Sequence, residues 1–135
     1  MHTPDQAPED FEDIKIVRAD VDAAISVGDL WRIPLTLSDM PSNEWAERFE
    51  AEERAQWSST RQRAVLDGQR IMATCRTEEL QAEIDDLNPI VAATNRAYRD
   101  ICTARQKELR KEQQAQSQSA AAKEKLRDAV KDLRF

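Results

Sequence analysis

Residues 99–135 contain no glycine, no proline and a single aromatic residue, Phe135. This closing stretch has nothing that turns it and little that a core could hold, so continuous helix is the reading that fits. The charge divides at the same place. Residues 1–98 hold 10 Lys/Arg against 20 Asp/Glu, whereas residues 99–135 hold 10 against 6. The sequence therefore predicts three parts: a polar, disordered lead-in over residues 1–12, an acidic α+β head over 13–102, and a basic helical extension over 103–135. With 34% charged residues, 5% aromatic residues and only two glycines, the composition favours helices over a turn-rich all-β fold.

Two stretches of the head alternate with the period of a strand. Val17, Ala19, Val21, Ala23, Ile25 and Val27 occupy the odd positions of the first, and Trp31, Ile33, Leu35 and Leu37 those of the second. Gly28-Asp29 lies between them as turn chemistry. A two-residue loop would send the two apolar sets to opposite faces, so register favours a three-residue loop that pairs Ile25 with Trp31, with Gly28 at positive φ. A competing reading makes Asp20–Val27 a short helix. Pro34 lacks an N–H and is expected on an edge strand. A third alternation over 69–76, with Ile71, Ala73 and Cys75 on one side, completes a small three-stranded sheet, antiparallel or mixed.

Helices cover it. Ser42 or Asn43 caps a helix over 43–66 whose apolar face carries Trp45, Phe49, Trp57 and Ala64, and Gly68 terminates it in the left-handed conformation. Thr77-Glu78-Glu79 opens the next helix. Leu80, Ile84, Leu87, Val91, Thr94, Tyr98 and Ile101 then follow at alternating spacings of four and three, a heptad seam. Asn88-Pro89 predicts a kink or a short break in it. The expected core is Val21, Ile25, Trp31, Ile33, Leu35, Trp45, Phe49, Ile71, Leu80, Ile84 and Leu87.

Most catalytic chemistry lacks its residues. His2 is the only histidine, so the usual general base and the commonest transition-metal ligand are missing from the head. Cys75 and Cys102 form no CxxC pair, and two isolated glycines build no phosphate loop. The surviving enzymatic option is a carboxylate–metal site drawn from Glu78, Glu79, Glu83, Asp85 and Asp86, although acids near a helix start ordinarily complement its dipole. Glu50, Glu52 and Glu53 read as solvated helix surface. Trp31, Trp45 and Trp57 read as packing residues rather than a ligand cage. Asn95, Arg96 and Tyr98 read as ordinary helix surface, the alternative being a polar handle that sets register between chains. No catalytic, metal or cofactor residue is assigned and no cofactor is expected.

The remaining reading is a non-catalytic adaptor that associates with itself, as a coiled-coil homodimer, or with another protein through its C-terminal helix. Tyr98, Ile101, Leu109, Leu126, Val130 and Leu133 are the interface candidates. Arg105, Lys107, Arg110, Lys111, Lys123, Lys125 and Arg127 form a basic patch. That patch supports a weaker reading as a nucleic-acid-associated regulator, since acids are interleaved and stacking aromatics are missing. A further alternative uses the acidic head: an inhibitor, of the anti-defence kind carried by mobile elements, that blocks a partner's nucleic-acid-binding surface. The N-terminus lacks a signal-peptide pattern, no apolar run approaches a membrane span, and the cysteines read as buried thiols of a cytoplasmic protein.

Overall fold

The computed structural model describes residues 10–56 and 63–134. In chain order these form β1 (Ile16–Ala19), β2 (Ile25–Val27), β3 (Leu30–Leu37), α1 (Asn43–Gln56), β4 (Val65–Asp67), β5 (Arg70–Cys75) and α2 (Leu80–Lys131). Short 3-10 turns occupy Val21–Ala23 and Thr77–Glu79. The fold is α+β, with five strands among the described residues where the alternations suggested three. The sheet is antiparallel, in the order β1, β3, β5, β4, and β2 pairs with β3 on the same side as β1.

Alternation in the two long strands sorts the faces. Ile33 stands opposite Ala73, and Leu35 opposite Ile71. These four side chains, with Leu37 and Cys75, are buried in one cluster with Trp45 and Phe49 of α1 and Leu87, Ile90 and Val91 of α2. Each Leu, Ile or Val buried there contributes about 1.5–3 kcal/mol against its exposed state. Trp45 and Phe49 stack with ring centroids 5.7 Å apart.

The first alternating stretch is not one strand. The turn at Val21–Ala23 interrupts it, and Asp20 N–H donates to the Pro34 carbonyl at 2.8 Å to hold the break. A register shift between Ile16 and Arg18 further separates β1 from a regular ladder. The register of β2 is therefore independent of β1, and the three-residue loop expected from continuity does not form. Ile25 pairs with Arg32 and Val27 with Leu30 across a two-residue loop, Gly28-Asp29. Gly28 does take positive φ, +62°, and among the described residues no non-glycine residue does, which matches a type II′ turn with glycine first. The consequence is that Val21 (72% exposed), Ile25 (58%) and Trp31 (42%) lie outside the core assigned to them.

Pro34 is a correction with the same origin. It lies in the central strand, not at an edge. Backbone N and O of one residue point to the same side of an antiparallel strand, and the Pro34 oxygen points to Asp20. Its nitrogen therefore faces the gap between β1 and β2, where no ladder carbonyl awaits a donor.

The first helix begins as expected, with Ser42 Oγ accepting from Trp45 N–H at 3.2 Å. Its far end differs: Val65–Asp67 is a strand, not helix. Asp67 pairs with Arg70 around Gly68-Gln69, so Gly68, at φ +61°, opens a second hairpin instead of ending a helix. Trp57, together with the other helix positions over 57–62, lies outside the described residues.

Phe11, placed in the lead-in by sequence, is buried against Tyr98 with ring centroids 4.8 Å apart, edge to face. Packed chain thus starts before residue 13. In α2 the buried positions Leu87, Ile90, Val91, Thr94, Asn95, Tyr98 and Cys102 form a broad 3.6-residue stripe that closes the head. Leu80 and Ile84 pack at its margin. The helix has no break at Pro89. The carbonyl deprived of a donor belongs to Asp85, and both residues are exposed, so water can serve it.

Candidate interaction helix

At 52 residues, α2 is about 78 Å long. Cys102 is its last buried residue; Arg105, Gln106 and Leu109 are half-buried, and every residue from Arg110 to Arg134 is exposed. The part from 103 to 131 extends about 44 Å past the buried stripe.

Three polar residues fix the helix to the head. Asn95 is buried and makes three hydrogen bonds: its Oδ1 accepts from Ile14 N–H at 3.1 Å and from Trp45 Nε1 at 2.9 Å, and its Nδ2 donates to the Ile14 carbonyl at 2.8 Å. It joins α2, α1 and the segment entering β1. Asn95 is therefore neither helix surface nor a handle between chains, while Arg96 is exposed. One turn further on, Arg99 donates to the Phe11 carbonyl at 3.0 Å, pairs with Asp13 at 2.9 Å and sits over the Phe11 ring. Arg105 grips the Glu44 carboxylate with both terminal nitrogens, at 3.1 and 2.5 Å. Its guanidinium pKa is raised above the ordinary value, chiefly by that contact. Thr94, buried mid-helix, satisfies its hydroxyl on the Ile90 carbonyl at 2.7 Å.

These anchors change the membership of the interface. Tyr98 is 1% exposed and committed to Phe11, so it presents nothing to a partner. Burial raises its pKa, more than the neighbouring Ser42 hydrogen bond lowers it. Arg105 leaves the basic patch because Glu44 holds it. Ile101 is half-buried. Lys107, Arg110, Lys111, Lys123 and Lys125 are exposed, and Arg127 lies 3.4 Å from Glu124. Leu126, Val130 and Leu133 remain as an exposed apolar stripe, at 64%, 46% and 57%. Leu109 lies 17 residues earlier, which leaves it about 100° around the helix from Leu126, so it is not part of that stripe.

Residues 113–122 are rich in Gln, Ala and Ser and hold nothing large to bury, yet they carry a phase. Ala115, Ser119, Ala122, Leu126 and Ala129 follow at spacings of four and three on one side of the helix, and Leu133, two residues past its end, keeps the spacing. Small side chains there let a second helix backbone approach closely, and the leucines supply the apolar contact. The missed signal was the spacing itself, hidden because none of the first three residues is large.

Elsewhere, Glu53, read as solvated surface, and Glu83, read among the acids near the helix start, prove buried. Glu53, on the same α1 stripe as Trp45 and Phe49, accepts from Arg63 Nε at 2.9 Å. Glu83 lies on the core side of α2, where with Glu79 it adds to the burial that raises the Cys75 pKa. Among the described residues, no three His, Cys, Asp or Glu side chains form a group that could hold a metal ion. No described helix is long and apolar enough to cross a membrane. Both cysteines are free and buried. No protein-family model, curated protein or solved structure matches the chain.

Proposed function

We propose that the protein is a non-catalytic adaptor whose head holds one end of α2 and whose distal third pairs with another helix, in the first instance that of a second copy. The observation that carries this reading is the exposed apolar stripe of Leu126, Val130 and Leu133, at and just past the end of a helix that has left its own core. Burying such a stripe against another helix stabilises the turns that carry it. The cytoplasm is the proposed setting, in keeping with two free buried thiols.

Sedimentation velocity from 1 to 100 µM is the test. The expected result is a dimer that Leu126→Asp/Val130→Asp converts to monomer with unchanged unfolding of the head. A strict monomer removes the self-paired form. Site-specific photo-crosslinking from position 130 in the native cell then tests a different partner, and crosslinks no stronger than from position 107 would overturn the adaptor reading as a whole.

The nucleic-acid reading through the same helix is weakened by the pairing of Arg105 with Glu44 and of Arg127 with Glu124. The acidic-inhibitor reading rests on small size, the charge of the head and the want of catalytic groups.

A further inference from the structure

Every residue from Arg110 to Arg134 is exposed, so no part of the head covers the apolar and charged side chains of this stretch. With the 3.5-residue turn of a coiled coil, Lys111, Gln118, Lys125 and Asp132 run along one flank of the distal stripe. Leu109, Gln116, Lys123 and Val130 run along the other. These flanks restrict how two copies of the helix can lie together.

Parallel pairing in register sets each stripe residue against its own copy. Leu126 would meet Leu126, but Ala115, Ala122 and Ala129 would each meet alanine, so close and wide layers would alternate. Glu112, one step earlier on the same seam, would meet Glu112. On the flanks Lys111 and Lys125 would reach only Gln116 and Val130. The two heads would also stand side by side, each holding 20 Asp/Glu against 10 Lys/Arg up to residue 98.

An antiparallel copy centred between Ala120 and Ala121 removes these conflicts. Leu126 then lies against Ala115 of the second copy and Ala122 against Ser119, so no layer joins two large residues. Glu112 faces Ala129 instead of another acid. On the flanks Lys111 meets Asp132, and Leu109 meets Val130, so two apolar residues off the stripe cover each other. Gln116 and Gln118 meet Lys123 and Lys125, and the two-fold axis makes every contact twice. Other registers restore repulsion. Centring on Glu124 sets Lys123 against Lys123 and Lys125 against Lys125. Centring on Ser117 sets Lys111 against Lys125 and Leu126 against Glu108. We propose that the occupant of the distal stripe is a second copy running antiparallel and centred between Ala120 and Ala121, which rests on the self-pairing proposed above and gives it a direction and a register. The product is a rod with a head at each end. Its two Cys102 positions lie about 55 Å apart along the axis, far beyond the screening length of about 8 Å at physiological salt, so the like-charged heads do not oppose assembly.

The test uses the full chain at 100 µM with a nitroxide on Lys107→Cys or Glu124→Cys, read by double electron–electron resonance. The wild-type chain, whose two cysteines are buried, controls for labelling elsewhere. The labels at 107 should stand about 40–50 Å apart and those at 124 under about 30 Å. Lys111→Asp and Asp132→Lys should each weaken the dimer about fivefold, and an equimolar mixture of the two variants should recover wild-type affinity within about twofold, because it restores both contacts. Both distances under about 30 Å, as parallel helices give, overturn the proposal; so does a 107 distance above about 60 Å, which marks a shorter overlap, or a mixture no tighter than its components. Each of these leaves the self-paired adaptor standing. No dipolar coupling together with a monomer in sedimentation removes both, so the two failures are distinguishable.

Discussion

Asn95 concentrates more of the head's geometry than any other single side chain. Replacing it with alanine removes partners from the Trp45 indole N–H and from both backbone groups of Ile14 in the interior. Asn95→Ala should lower unfolding free energy by about 3 kcal/mol in a urea titration, the scale expected when buried polar groups lose their partners. Tyr98, the only tyrosine, gives a pH prediction whose sign follows from burial. Its folded pKa is raised, so above about pH 10 the unfolded chain releases a proton that the folded one retains, and stability falls as pH rises. Cys75 shifts in the same direction for the same first reason and extends the decline down to about pH 8.5. The melting temperature should drop steadily from pH 8 to 11, and phenolate absorbance should appear together with unfolding. A flat profile with early phenolate absorbance would show Tyr98 to be accessible.

Elements show where pattern reading succeeds and where it fails. Period two in Ile33–Leu37 and Ile71–Cys75 was legible because both strands bury one face along their whole length. The same period in Val17–Val27 misled, because a single 3-10 turn cuts the ladder and frees the second half to expose its apolar positions. Val65–Asp67 was missed because three residues contain no full alternation; the Asp67-Gly68 pair was the available signal, read there as a helix terminator. The seam on α2 was read correctly in phase, and its first residues, Leu80, Ile84 and Leu87, were rightly given to the head; Tyr98 was wrongly given to a partner, since periodicity does not say where a stripe stops facing its own sheet. In the candidate site, Leu126, Val130 and Leu133 were legible by spacing, whereas the ion pair that withdraws Arg105 joins residues 61 apart in sequence. Two predictions belong at this scale. Gly68→Ala places a Cβ at φ +61° with ordinary space around it, so its cost is conformational, about 1–2 kcal/mol. Pro89→Ala restores a helix bond to Asp85 and should raise stability by about 1–2 kcal/mol. Chemical denaturation measures both.

The molecule as a whole divides by burial into a packed part and a bare one. A chain ending after Gln106 keeps the Arg105–Glu44 pair and every buried residue. It should unfold within about 0.5 kcal/mol of the full chain while losing the helical circular-dichroism signal of the removed turns. A larger loss would mean that the distal helix folds against the head in solution.

The clamp joining Ile14 to Asn95 spans 81 positions. On a ribosome the segment leading into β1 emerges early and its clasp arrives late. The nascent sheet must wait with its apolar side uncovered until the first half of α2 has emerged, which makes this a slow, aggregation-exposed passage during synthesis. The long solvent-facing end of α2 comes last of all, so whatever pairs with it meets a head that has already had the opportunity to close.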